Sequence, residues 1–350
     1  MKVARFHKFG APEVLVYEES PKPAPKPGEA LVRVRAVGIN HVDLDHRAGT
    51  SRIPLTFPHI LGREFAGEVA GLNGDAQGFK EGDRVWVTCR IPCGRCELCL
   101  AGRDNLCVKE GYFGLDIPGG YAEYVAVPIA NLNALPAHVR YEDAAAAQIA
   151  FGTAWHVLVN RGLLQAGQTV LIQAAGSGIG SAAVQVAKLA GAAMIIATAS
   201  SEKKLAQAKA LGATHLINYS GGKFADQVMA LTGGRGVDVV MEHIGGEVFI
   251  ESLKCLARGA IIVTVGAHAG EVVPFDIIPF FRMQRSVIGS FTYTRDEVEK
   301  CLELARKGKI TPLVHKVFPL EEAGEAMAMM ERREHFGKIV LKPESVPVSA

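Results

Sequence analysis

From residue 169 onward the chain alternates short apolar runs with amphipathic stretches: 169–173, 181–190, 194–198, 203–211, 215–218, 224–232, 237–242, 248–256 and 259–265. Strands that apolar have no polar face to show to water, so they belong in a parallel sheet covered by helices on both sides. The pattern predicts a doubly wound α/β domain over 151–287. Its first strand runs into Ala175-Gly176-Ser177-Gly178-Ile179-Gly180 and then a helix. Gly178 and Gly180 lack a Cβ, so backbone can approach a pyrophosphate while the helix N-terminus turns free N–H groups toward the charge. Gly176, Ser177, Gly178, Ile179 and Gly180 are therefore the candidate phosphate loop, with an ordinary tight turn as the alternative.

The next strand ends in Thr198-Ala199-Ser200-Ser201-Glu202-Lys203-Lys204. A carboxylate there would accept from a free ribose 2′-hydroxyl, but Ala199 holds the place, and the hydroxyls and cations after it suit a 2′-phosphate. This favours NADP(H). The same residues also read as a helix N-cap at Ser200 or Ser201 followed by solvated lysines.

Residues 1–150 carry short strands and turns instead. Val32, Val34 and Ala36 alternate with Arg33 and Arg35 after a stiff proline-rich connector at 21–27, and further strands are expected at 64–70, 83–88 and 122–127. An antiparallel barrel follows. From about Ile288 the chain adds a strand, helices at 296–307 and 321–332 and a strand at 338–342, which rejoin the barrel and leave 343–350 as a tail. The expected domains are thus 1–150 with 288–350, and 151–287. Lys plus Arg is 38 against 36 acids, a balance with no general attraction for nucleic acid or an anionic membrane. With no signal-peptide pattern at its start, a cytoplasmic protein with small-molecule partners is expected.

Four of the seven cysteines crowd into Cys93-Gly-Arg-Cys96-Glu-Leu-Cys99 and Cys107. Four thiolates fill every position of a tetrahedral zinc and leave none for substrate, so the expected site is structural, one Zn²⁺ per chain. Unrelated thiols or an iron–sulfur cluster are the alternatives, and Cys89 reads as a core thiol.

Together these motifs resemble the medium-chain dehydrogenase/reductases along essentially the whole chain: a GroES-like barrel with a zinc lobe, as in zinc alcohol dehydrogenases, then a Rossmann domain. That resemblance implies a second, catalytic zinc, but its ligand positions here hold Asn40, Arg63 and Ile149, and only the spare carboxylate, Glu64, remains. The proton-relay positions hold Val42 and Asp45. Asn40-His41-Val42-Asp43 instead resembles the zinc-independent quinone oxidoreductase branch, whose 2′-phosphate contacts map onto Ser200, Lys204 and Tyr219. The expected site therefore has no catalytic zinc.

Asn40 and Asp43 either orient substrate or stitch a loop. Thr153 either lies near the nicotinamide or caps the helix carrying Trp155. The resemblance places Gly266 and Lys338 beside the cofactor, Lys338 being otherwise a solvated strand end. His41, Asp45, His46 and His59 are candidates for a proton donor. Arg63 either stabilises an oxyanion or forms a salt bridge with Glu64 or Asp43. The resulting expectation is an NADPH-dependent reductase of a quinone or enone. The alternatives are a zinc-independent carbonyl reductase using Arg63, and a non-catalytic NADPH-binding protein. A homodimer or tetramer is expected through the edge near 277–288.

Overall fold

In the computed structural model, which describes residues 1–343, the strands gather into two main sheets, one in each of two compact units. The units are Met1–Gln148 with Pro312–Ala350, and Ile149–Thr311. The chain opens with β1 (Lys2–Arg5) and β2 (Val16–Glu19), an antiparallel pair. Next come β3 (Glu29–Gly38), α1 (His41–Ala48), β4 (Glu64–Asn73) and β5 (Arg84–Val87). A small lobe holds β6 (Arg90–Ile91), α2 (Glu97–Leu100) and β7 (Gly111–Tyr112), and β8 (Tyr124–Pro128) and β9 (Leu132–Ala134) follow. β3 is the hub, pairing antiparallel with β4 and β8, and its buried Val32, Val34 and Val37 enter one core with Phe6, Phe65, Phe113 and Tyr121.

Helix α3 (Tyr141–Trp155) leads into the second unit. There β10 (Thr169–Ile172), α4 (Gly178–Leu189), β11 (Met194–Ala199), α5 (Glu202–Leu211) and β12 (His215–Asn218) alternate as the sequence rhythm predicts. They are followed by α6 (Ala225–Leu231), β13 (Val237–Glu242), α7 (Gly246–Lys254), β14 (Leu256–Thr264), α8 (Ile277–Arg282), β15 (Ser286–Gly289) and α9 (Arg295–Arg306). All six strands are parallel, in the order β12-β11-β10-β13-β14-β15. Successive crossovers reverse direction between β10 and β13, the place where doubly wound sheets bind their ligand.

The chain then returns with β16 (Val314–Pro319), α10 (Ala323–Glu331) and β17 (Lys338–Lys342). β17 pairs antiparallel with β3, and β16 pairs parallel with β17, so the first sheet is not wholly antiparallel as expected. The return comes at Pro312, later than the expected Ile288. The intervening residues stay in the second unit because β15 hydrogen-bonds β14, and Val298 and Cys301 of α9 are buried there, Cys301 Sγ lying 3.6 Å from the Phe151 carbonyl. Of the expected tail, residues 344–350 lie outside the described residues. No helix among the described residues is long and apolar enough to cross a membrane.

Candidate functional site

Where β3 ends and α1 begins, a polar cluster is built into the apolar core of the first unit. Asp43 sits in the first turn of α1, where its carboxylate Oδ2 accepts from the Asn40 backbone N–H at 2.8 Å. The Tyr121 hydroxyl donates to the same oxygen at 3.4 Å. Asp43 is fully buried, and burial lifts its pKa to about 6 against the pull of the Asn40 N–H and of Arg63 and Lys338. Glu64, at the start of β4, is buried beside it; Gly38 makes room, since a Cβ there would lie 2.5 Å from Glu64 Oε1.

The cation on Glu64 is Lys338. Its Nζ lies 2.5 Å from Glu64 Oε1 and donates to the Ile39 carbonyl and to Asn40 Oδ1, each at 2.7 Å. Lys338 is thus a buried member of the cluster, not a solvated strand end.

Arg63 makes neither expected salt bridge. Its Nη2 donates to His46 Nε2 at 3.0 Å, its guanidinium carbon lies 5.1 Å from the Tyr112 ring centroid, and its Nε is buried with no hydrogen-bond partner. A guanidinium only donates, so His46 Nε2 accepts and the ring proton is assigned to Nδ1. Burial, and then the Arg63 charge, push the His46 pKa down to about 4, keeping the ring neutral. Of the other proton-donor candidates, His59 is buried with Nε2 3.0 Å from the Gly114 carbonyl, while His41 is exposed.

In the second unit the glycine loop joins β10 to α4. Ser177 caps the helix, its Oγ accepting from the Gly180 N–H at 3.0 Å and lying 3.3 Å from His243 Nε2. A Cβ on Gly180 would meet the Ala174 carbonyl at 2.3 Å, so only glycine lets this helix start so close to the strand. Ala199 is buried at the tip of β11, Ser200, Lys204 and Tyr219 are half-buried around it, and Ser201 caps α5. Glu202 is exposed and accepts from Asn218 Nδ2 at 2.8 Å. Gly266 lies two residues past β14. Thr153 is buried within α3, near the helix's end, and is no N-cap. Glu242, which the sequence reading missed, is buried at the tip of β13; burial raises its pKa while the Ile244 and Gly245 N–H groups each donate to it at 2.7 Å.

In the lobe, one sulfur from each of Cys93, Cys96, Cys99 and Cys107 lies within 4.8 Å of the others. Backbone N–H groups of Cys93 and Lys109 donate to Cys107 Sγ at 3.2 and 3.4 Å. Four converging sulfurs with amide donors behind them are a donor set that fits zinc. The lobe is anchored by buried Arg90, which donates to Asp104 Oδ2 at 2.6 Å and to Glu110 Oε2 at 2.9 Å.

Residues 26–137 match the family model of the alcohol dehydrogenase GroES-like domain, and 178–307 that of the zinc-binding dehydrogenases. A solved NAD-dependent alcohol dehydrogenase is 40% identical with a TM-score of 0.92, covering 98% of this chain and 100% of that one. A 2-haloacrylate reductase of a Burkholderia species is 32% identical over 98% of this chain and 99% of its own length. The quinone oxidoreductase of Pongo abelii is 29% identical over 93% and 92%.

Proposed function

The chain belongs to the medium-chain dehydrogenase/reductase superfamily, and from that premise we propose that it is an NADPH-dependent reductase of conjugated carbonyl acceptors that works without a catalytic metal. The observation that carries this reading is the polar cluster of the first unit. Where the zinc enzymes keep metal ligands, this chain has an amide at Asn40 and a cation at Arg63, and the Glu64 carboxylate is already held by Lys338. Two cations and a neutral amide do not fit a divalent ion, so no step is routed through one. A conjugated acceptor is electron-poor already and needs less polarisation than a simple ketone. The names of the two reductase relatives, on a quinone and on a haloacrylate, support that class.

The loop at Gly176–Gly180 and the first N–H groups of α4 would hold the pyrophosphate, and Ser200, Lys204 and Tyr219 the 2′-phosphate. When bound, the dinucleotide supplies the hydride. Arg63, preorganised by His46 and Tyr112, stabilises the negative charge that develops on the acceptor. Lys338 fixes Asn40 through its side-chain oxygen, while the Asn40 Nδ2 donates to the Gly38 carbonyl at 3.4 Å. Cys93, Cys96, Cys99 and Cys107 would hold one structural zinc.

NADPH oxidation over a panel of quinones, enones, aldehydes and ketones, with and without oxygen, tests the reaction. Turnover confined to simple ketones or alcohols would favour the second reading, a carbonyl reductase, which the 40% identical alcohol dehydrogenase supports. The cofactor is tested by titration. Charge-assisted bonds to phosphate are worth about 1.5–3 kcal/mol each, so Lys204→Ala should weaken NADPH by about ten-fold or more and leave NADH nearly unchanged. Equal affinity of the unaltered protein for both would overturn the NADP assignment.

A further inference from the structure

We infer that Arg63 is a carboxylate anchor, and that the acceptor of this site is an α,β-unsaturated carboxylic acid rather than a neutral enone. The inference rests on the reading that a conjugated acceptor is reduced here, and it names the class of that acceptor.

Arg63 is a half-buried cation with no carboxylate among the described residues in ion-pair distance. The acids of the cluster make their close contacts elsewhere: Glu64 with the Lys338 ammonium at 2.5 Å, and Asp43 Oδ2 with the Asn40 N–H at 2.8 Å and the Tyr121 hydroxyl at 3.4 Å, so that Asp43 feels the Arg63 charge without being paired with it. The groups against the guanidinium itself are the His46 ring and the Tyr112 ring, and both are neutral acceptors of its attention, not counter-charges. Nη2 is taken by His46, and the buried Nε has no partner. A guanidinium removed from water without a counter-charge is costly, and its planar fork matches a carboxylate through two parallel N–H bonds.

The chemistry gives such a cation a purpose. Hydride added to the β-carbon of a conjugated acid breaks the C=C bond, and its electron pair moves toward the α-carbon and the carboxylate, which is already negative. An unpaired carboxylate therefore resists the addition, whereas one held by Arg63 spreads the second charge into the guanidinium. The hydride comes from reduced nicotinamide dinucleotide, which leaves oxidised. A proton from water completes the α-carbon, and the saturated acid is released.

Two measurements test this on the dinucleotide-loaded protein. Calorimetric titration with butanoate and butanamide reads the anchor without turnover; kcat/KM for crotonate, crotonamide and cyclohexenone reads it with turnover. Unaltered protein should bind butanoate and turn over crotonate at least about ten-fold better than the amides, the range of one charge-assisted bond. Arg63→Met should erase that preference, Arg63→Lys should restore part of it, and neither should change NADPH affinity. No preference for the carboxylate in the unaltered protein overturns the inference whether or not the variants fold, as does a preference that survives Arg63→Met in a folded protein. If cyclohexenone is reduced but butanoate does not bind, the anchor fails and the reductase reading stands. If butanoate binds through Arg63 and no acceptor is reduced, the anchor stands and the reductase reading fails.

Discussion

Asp43 and His46 lie three residues apart on α1, both fully buried, and burial moves their protons in opposite directions. The folded chain holds the Asp43 proton up to about pH 6, against an ordinary value of 3.8, so the unfolded chain gives it up first. Its contribution to stability is whole below pH 3.8 and is lost as pH rises through 6. His46 falls from 6.5 to about 4, so its contribution is whole above pH 6.5 and is lost as pH falls toward 4. At 1.36 kcal/mol per pKa unit each is worth about 3 kcal/mol, and in the unaltered protein the two slopes oppose each other between pH 4 and 6. Asp43→Asn should leave a stability that climbs with pH over that window, and His46→Gln, which keeps an acceptor for Arg63, one that declines. Urea midpoints at pH 4, 5, 6 and 7 decide it; two variants with the same slope would refute the assignment.

At the scale of elements, what could be read in advance was what neighbouring residues determine. The step from β10 through the glycine loop to α4 is local, because Ser177 caps a donor three residues away and Gly180 packs on Ala174. The four cysteines are likewise close in sequence. Lys338 on Glu64 joins β17 to β4, and Tyr121 reaches Asp43 across 78 residues; no short pattern announces either, since both depend on how β3 gathers its partners. The same distinction shapes two expected outcomes. Gly180→Ala forces a Cβ into backbone that a flexible side chain could not relieve, so it should cost about 1–3 kcal/mol and weaken NADPH binding, measured by melting and titration. Cys107→Ser should reduce zinc from one per chain to none by elemental analysis and expose the lobe to protease. NADPH binding should persist, because the dinucleotide loop lies in the other unit. Loss of binding together with the zinc would show that the lobe does more than hold itself together.

For the whole molecule, the question is what covers the free edge of the second sheet. β15 ends that sheet, with β14 on one side and no strand on the other among the described residues. An edge strand offers unpaired N–H and C=O groups as a template for another chain, and isolated proteins usually guard it with charge, proline or a covering element. Here the neighbouring surface is apolar instead: Ile277 and Phe281 of α8 are each 63% exposed, and Phe291, just after β15, is 53% exposed. A patch of that kind on a chain with a near-neutral balance of charge favours association over a solvated edge. We propose that β15 of one protomer pairs with β15 of a second about a two-fold axis, so that one self-complementary patch serves both. The unaltered chain is expected to run as a dimer or a larger assembly by light scattering at micromolar concentration. Phe281→Glu places a charge on that apolar surface without altering the phosphate loop or the polar cluster, so it should yield a monomer that still binds NADPH. A monomeric unaltered protein would rule out this interface, and an undiminished dimer in Phe281→Glu would move it to another face.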